Sequence, residues 1–233
     1  MMLTRERYVA ERFDRLEGRF KDSVPADDPR LAALLEALRP IEGKLLLDLG
    51  CGKGRFARRL VELGAKVVGL DVSPKMLDRA QELPRVLASA SRLPFADKTF
   101  DAVFAIEVFE HLQPSGIRKI TQEIFHVLRP GGLIAIIDKS SFALDARRPW
   151  LPKSALKWID ERKGLWMYPA TGAVREVWSR PGKLRAILAR SFEDARVATI
   201  LSTDEARFRI FRVLTWTRLF RLWTARRPGG TLG

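Results

Sequence analysis

From Leu45 onward, short apolar runs alternate with amphipathic stretches. LLLDLG at 45–50 precedes helical spacing over Arg55–Leu63, and KVVGLD at 66–71 precedes Pro74–Glu82. FDAVFAIE at 100–107 precedes Ser115–Leu128, and GLIAIID occupies 132–138. Short apolar runs separated by helices are the signature of parallel strands buried on both faces. PRVLASA at 84–90 adds a short strand, and Ala195–Leu201 and Phe220–Arg226 add two later ones. Ahead of this alternation, Tyr8, Val9, Phe13, Leu16 and Phe20 space a helix over Arg5–Phe20. Leu31–Leu38 forms a second helix after a breaker containing Pro25 and Pro29. The pattern predicts an open α/β sheet with helices on both faces.

The 233 residues suit one domain, and 46% apolar with 30% charged residues is a globular balance. Four segments are expected: an N-terminal helical lid over 1–43, a ligand-binding core over 44–138, a cap over 139–190, and final strands with a basic tail over 191–233. The single cysteine, Cys51, excludes an intramolecular disulfide framework and suits a reducing compartment. The first ten residues mix acid and base without an apolar run, so no secretory leader is expected. Phe208–Trp223 is apolar but contains Arg209, Arg212, Arg218 and Arg221, too charged to span a bilayer. A cytoplasmic protein is expected, with peripheral contact at the inner membrane face as an option.

The densest chemistry is Asp48-Leu-Gly50-Cys51-Gly52-Lys-Gly54, directly after one strand and before a helix. Glycines there let the backbone turn tightly and approach a ligand, and the helix start offers free N–H groups. Twenty-one residues after Gly50, at the end of the next strand, stands Asp71, placed to accept both hydroxyls of a ribose. A dinucleotide fingerprint would require its third glycine at position 55, which is Arg. That spacing disfavours an NAD(P)-dependent oxidoreductase.

The G-x-G-x-G form resembles that of the class I S-adenosylmethionine-dependent methyltransferases. The resemblance continues through VVGLDVSPKML, SRLPFADKTFDAV, AIEVFEHL and VLRPGG, five ordered motifs from Leu45 to Gly132. It is greatest to the subgroup of ubiquinone- and menaquinone-biosynthesis and small-molecule enzymes. The resemblance implies a Rossmann-like, mostly parallel seven-stranded sheet with an antiparallel last strand, and S-adenosyl-L-methionine as cofactor. It further implies that Gly50, Cys51 and Gly52 line the methionine part, with Asp48 supporting its ammonium group and Gly54 among the cofactor-binding residues. Asp71 would hold the ribose, Val72 and Met76 would pack near adenine, and Glu107 would face the cofactor. Where the family often has an Asp to accept from the adenine amine, this chain has Ser89, followed by Ala90.

Methyl transfer from a sulfonium is an in-line displacement, so the protein must align a nucleophile and, for a hydroxyl, take its proton. A base is sought at the end of the fourth strand, where Glu110 and His111 are the candidates. His126, near a helix end, reads as a helix-terminal group. The Asn/Asp-Pro-Pro-aromatic segment of base amino-methylating enzymes is absent there. The only cysteine sits in the glycine loop, against cytosine C5 chemistry, and no residue cluster suggests a metal.

Charge is unevenly placed. The net charge is +14, and residues 139–233 hold 20 Lys and Arg against 8 Asp and Glu. Trp150, Trp158, Trp166, Trp178 and Tyr168 interleave with the basic residues of 139–190. Such a cap is expected to cover a small-molecule or lipid-linked acceptor of anionic character, by O-methylation in preference to C-methylation, or to touch an anionic membrane. Nucleic acid is disfavoured because no recognition module is visible. A catalytically inactive binding module of the same fold is the competing class. Oligomeric state is not read from the sequence.

Overall fold

A computed structural model describes residues 4–167 and 176–229. The chain opens with α1 (Thr4–Leu16), which tightens into a 3-10 turn at Glu17–Arg19. Next comes α2 (Pro29–Leu38), begun by Asp28, whose carboxylate accepts from the Arg30 N–H at 2.8 Å, with Pro29 in the first turn. The alternation follows as β1 (Leu45–Leu49), α3 (Arg55–Glu62), β2 (Lys66–Asp71), α4 (Pro74–Leu77), β3 (Arg85–Leu87) and β4 (Phe100–Ile106). Then come α5 (Pro114–Val127), β5 (Leu128–Lys139), α6 (Lys153–Arg162), α7 (Pro181–Leu188), β6 (Glu193–Ile200), α8 (Arg209–Val213) and β7 (Phe220–Arg226).

The seven strands run in the order β3-β2-β1-β4-β5-β7-β6, parallel except for β7, which is antiparallel to both β5 and β6. The strand period of two divides the core. Leu46, Ala102, Phe104, Ala135 and Ile137 pack under α2 and α3 with Leu34, Leu38, Phe56 and Leu60. Leu47, Leu49, Val103, Ala105 and Ile136 pack under α5 and α7 with Ile120, Ile124, Leu184 and Leu188. Coverage on both faces is why these strands read as unbroken apolar runs.

Three elements depart from expectation. The helix expected to Glu82 is one turn, α4, capped by the Ser73 hydroxyl; beyond Leu77, Arg79, Ala80 and Leu83 bond three residues back. The first helix stops at Leu16 rather than Phe20 because the backbone tightens at Glu17–Arg19. The insertion after β5 contains α6 and α7, which the Arg, Lys and Trp content concealed. No helix among the described residues is long and apolar enough to cross a membrane.

Candidate functional site

Strand order reverses between β1 and β4, the crevice where open α/β sheets receive ligands. A cavity of about 580 Å³ opens there, bounded by the glycine loop, the ends of β2 and β4, and one face of α1. Gly50 and Gly52 both take positive φ, +74° and +53°. A Cβ on Gly50 would lie 2.5 Å from a Val108 methyl, so packing as well as backbone conformation requires glycine. A Cβ on Gly52 would meet nothing within 4 Å although the residue lines the cavity, so a ligand has room against this backbone. Gly54 corrects the expectation. It does not line the cavity; its φ of +73° starts α3, and a Cβ there would lie 2.6 Å from a Leu83 methyl.

Two carboxylates sit behind the loop. Asp71 accepts from the Gly52 N–H at 2.8 Å and the Ser73 N–H at 2.9 Å, tying the loop to the end of β2. Burial raises its pKa, in part offset by those bonds. Asp48, also buried, is pushed well above the carboxylate range by burial and by the charge of Asp71, with Arg55 opposing. An ammonium group placed beside Asp48 would relieve that repulsion. Cys51 is buried, and burial with the same two carboxylates drives its thiol pKa up, so it packs rather than reacts. Val72, Met76, Ser89 and Ala90 line the cavity beyond Asp71.

The opposite wall is the end of β4. Glu107 takes φ +57° and its carboxylate pairs with Arg30 and, at 3.1 Å, with Lys139 Nζ. Burial would raise its pKa, but Lys139 and Arg30 outweigh it and keep the group ionised. His111 lines the cavity, its ring edge-on to Phe13 at 5.1 Å. Burial, then the charge of Lys139, lowers it to about 3, so the imidazole is neutral at neutral pH. Glu110, the other base candidate, lies 3.6 Å from the His111 ring but behind the wall. It is fully buried, does not line the cavity, and its Oε1 accepts from Lys139 Nζ at 2.7 Å. Burial and the charges of Asp138 and Glu176 push it well above the usual range despite Lys139.

Residues 47–136 match the methyltransferase domain family. An uncharacterised methyltransferase of Synechocystis sp. is 39% identical over 108 residues, 45% of this chain and 51% of that protein. A tRNA (carboxymethyluridine(34)-5-O)-methyltransferase of Arabidopsis thaliana is 30% identical over 166 residues, 68% of this chain and 39% of that protein. The chain thus spans about half the length or less of these relatives. The structure of an S-adenosylmethionine-dependent methyltransferase from Mesorhizobium loti superposes with TM-score 0.64 at 24% identity, covering 85% of this chain and 96% of that one. Residues 47–136 thus carry a methyltransferase domain, folded as in S-adenosylmethionine-dependent methyltransferases. The glycine backbone open at Gly52 and the buried carboxylates of Asp48 and Asp71 fit the methionine and ribose portions of S-adenosylmethionine.

Behind the methyltransferase site lies a buried ionic knot that the sequence reading missed. Lys139, at the end of β5, holds Glu107, Glu110 and, at 3.0 Å, Glu176. Burial would raise Glu176, but Lys139 and hydrogen bonds from the Trp178 and Trp166 indoles hold it at about 2. Those indoles reach the carboxylate at 2.7 and 2.6 Å, and the Val177 N–H donates to the Glu110 carbonyl at 2.7 Å. The insertion after β5 is therefore moored to the wall of the cavity. Of its described residues only Met167 lines the cavity. Trp166 and Trp178 serve the knot, and Trp150 and Trp158 are exposed at 73% and 46%; Tyr168 lies outside the described residues. Side chains of α1 and its following turn, among them Val9, Phe13 and Phe20, also line the cavity. Among the described residues no cluster suits a metal ion.

Proposed function

We propose that the protein transfers a methyl group from S-adenosylmethionine to an anionic small-molecule or lipid-linked acceptor, with oxygen as the favoured atom. The observation that carries this reading is the single cavity joining the open glycine backbone and paired buried carboxylates to a neutral histidine on the facing wall. The cofactor, when bound, supplies an activated methyl group on a sulfonium. The chain does the rest. Asp48 and Asp71 would hold the donor, Glu107 with its Arg30 and Lys139 partners fixes the end of β4, and α1 would exclude water. His111 aligns an acceptor hydroxyl and accepts its proton. Glu110 acts at a distance, holding Lys139 and thereby the shape of the wall. Arg19, Lys21 and Lys119, exposed at the rim of the same cavity, supply positive charge for an anionic acceptor.

A second reading is an RNA acceptor. It is favoured by the likeness to a plant tRNA methyltransferase, which runs over two thirds of this chain, and by the concentration of positive charge after β5. The test is incubation with methyl-labelled S-adenosylmethionine and separated lipid, quinone, glycan and RNA extracts. Label in a lipid, quinone or glycan fraction is the expected result; label confined to RNA selects the second reading. No transfer to any fraction, with intact cofactor binding, points to a binding module.

A further inference from the structure

The far end of the cavity, beyond Asp71, holds a carboxylate from an unexpected part of the chain. Glu6 of α1 lines the cavity. Its Oε1 accepts from the hydroxyls of Ser89 and Ser91, the latter at 2.6 Å, and the Ser91 N–H donates to the Ser89 hydroxyl at 3.0 Å. These serines follow β3, next to the end of β2, where Val72 and Met76 continue from Asp71. Glu6, Val9 and Phe13 recur at helical spacing and share the cavity face of α1. The far end of the helix is also moored: Asp14 accepts from the Ser73 hydroxyl at 2.6 Å and the Lys75 N–H at 3.1 Å. Glu6 and Asp14 stand about 12 Å apart along the helix, so α1 bridges the whole segment from the end of β2 to the loop after β3.

An ionised carboxylate only accepts hydrogen bonds, whereas a serine hydroxyl both donates and accepts. Serines alone therefore cannot tell a purine amine from a purine carbonyl. A carboxylate beside them favours the amine and repels the carbonyl.

Resting on the reading that S-adenosylmethionine occupies this cavity, we propose that Glu6 is the acceptor for the exocyclic amine of the cofactor's adenine. Because α1 delivers the carboxylate, docking of the lid helix and selection of the base are a single event.

The test compares calorimetric affinities for S-adenosylhomocysteine and S-inosylhomocysteine, in which a carbonyl replaces the amine and the adjoining ring nitrogen carries a hydrogen. The wild type is expected to prefer the adenosyl compound by about tenfold or more, the worth of a hydrogen bond to a charged group. Glu6→Ala should reduce that ratio to about threefold or less. Glu6→Gln, whose amide can donate to a carbonyl, should reduce it similarly while preserving shape, so the test survives if the alanine variant misfolds. Ligand binding should also slow amide exchange across α1 in the wild type and less so in Glu6→Gln. An unchanged ratio in Glu6→Gln with binding retained overturns the role of Glu6 alone. A wild type that binds neither compound overturns the cofactor reading and this inference with it.

Discussion

The two segments outside the central sheet differ in what they give to the site. The helix α1 and its following turn are nearly balanced in charge, and they place Glu6, Val9, Phe13 and Phe20 in the cavity. The insertion after β5 is strongly basic and rich in tryptophan, yet of its described residues only Met167 reaches the cavity. Its buried groups instead form the knot on Lys139, and its remaining tryptophans face outward. Conspicuous composition marks the surface of this protein, while the ordinary-looking helix supplies the cover of the site. A single charge in a cavity depends on where tertiary packing delivers it, whereas a net charge is only a sum.

If the insertion is held by the knot, Lys139→Met should be the most damaging change. It leaves Glu107, Glu110 and Glu176 without their shared cation, although Glu107 keeps Arg30. Removing one partner of a buried ion cluster costs about 3–5 kcal/mol, to be read by urea denaturation. Adding Glu176→Gln should recover part of that loss, because the two residues are in contact. A loss below about 1 kcal/mol would show that the insertion is moored by its apolar contacts.

Asp48→Asn strikes the other side of the comparison, the cofactor end closed by α1. Affinity for S-adenosylhomocysteine is expected to fall about 10- to 100-fold by calorimetry, the scale of a hydrogen bond between charged groups. Stability should hold or rise, since the substitution removes a buried carboxylate that burial and the charge of Asp71 penalise more than Arg55 relieves. The pH dependence follows from the same raised pKa. Without ligand the group keeps its proton to higher pH than an ordinary aspartate, and a cationic ligand requires it ionised. Wild-type affinity must therefore weaken as pH falls through that raised value, and Asp48→Asn should flatten the slope. For folding the sign is opposite: the stabilisation from a raised carboxylate is present at low pH and is lost as pH rises through the folded value. A wild-type affinity independent of pH would remove Asp48 from the ligand.

His111→Ala tests the facing wall. With its pKa held near 3, the imidazole is neutral throughout pH 5–9, so the pH–rate profile should show no inflection near 6.5 from this residue. A loss of about tenfold in kcat is expected for a group that aligns and weakly accepts. An inflection near 6.5 that disappears in His111→Ala would mean that the ring is more exposed during turnover than at rest.

The sheet and the glycine loop were legible because their causes are local or periodic. Leu45–Asp71 alternates a doubly buried strand, a positive-φ glycine turn and a helix, and each leaves its mark within a few residues. The Ser73-Pro74 pair likewise announces its helix, whereas Pro29, read as part of a breaker, opens α2 behind the Asp28 cap. What remained hidden depends on pairs far apart in the chain. Glu6 meets Ser89 across 83 residues, and Lys139 meets Glu176 across 37. Neither has a local signal, since a glutamate on a short helix looks like any solvated one. Glu110 and His111 adjoin in sequence, yet the 3-10 turn at Phe109–His111 sends one behind the wall and the other into the cavity. Gly54 was legible as a required glycine but not as one that serves packing.

The smallest expected effect on stability concerns the outward face of the basic insertion. Trp150 is 73% exposed, and Trp158 lies beneath the Arg162 guanidinium, 3.8 Å from the ring centroid. Neither lines the cavity or enters the knot, so Trp150→Ala with Trp158→Ala should change folding stability by no more than about 1 kcal/mol in all. If this face meets anionic lipid, the wild type should sediment with phosphatidylserine vesicles at low salt and release them at high salt, because surface attraction is screened within a Debye length. The double variant should bind less at low salt, since indoles add apolar burial to the charge attraction. Binding that falls with salt but is indifferent to the two tryptophans would mean that the basic residues act alone. No sedimentation at low salt would leave the exposed tryptophans without a lipid partner and shift weight to the RNA reading, in which the same stacked Arg162 and Trp158 would offer a platform for an unpaired base.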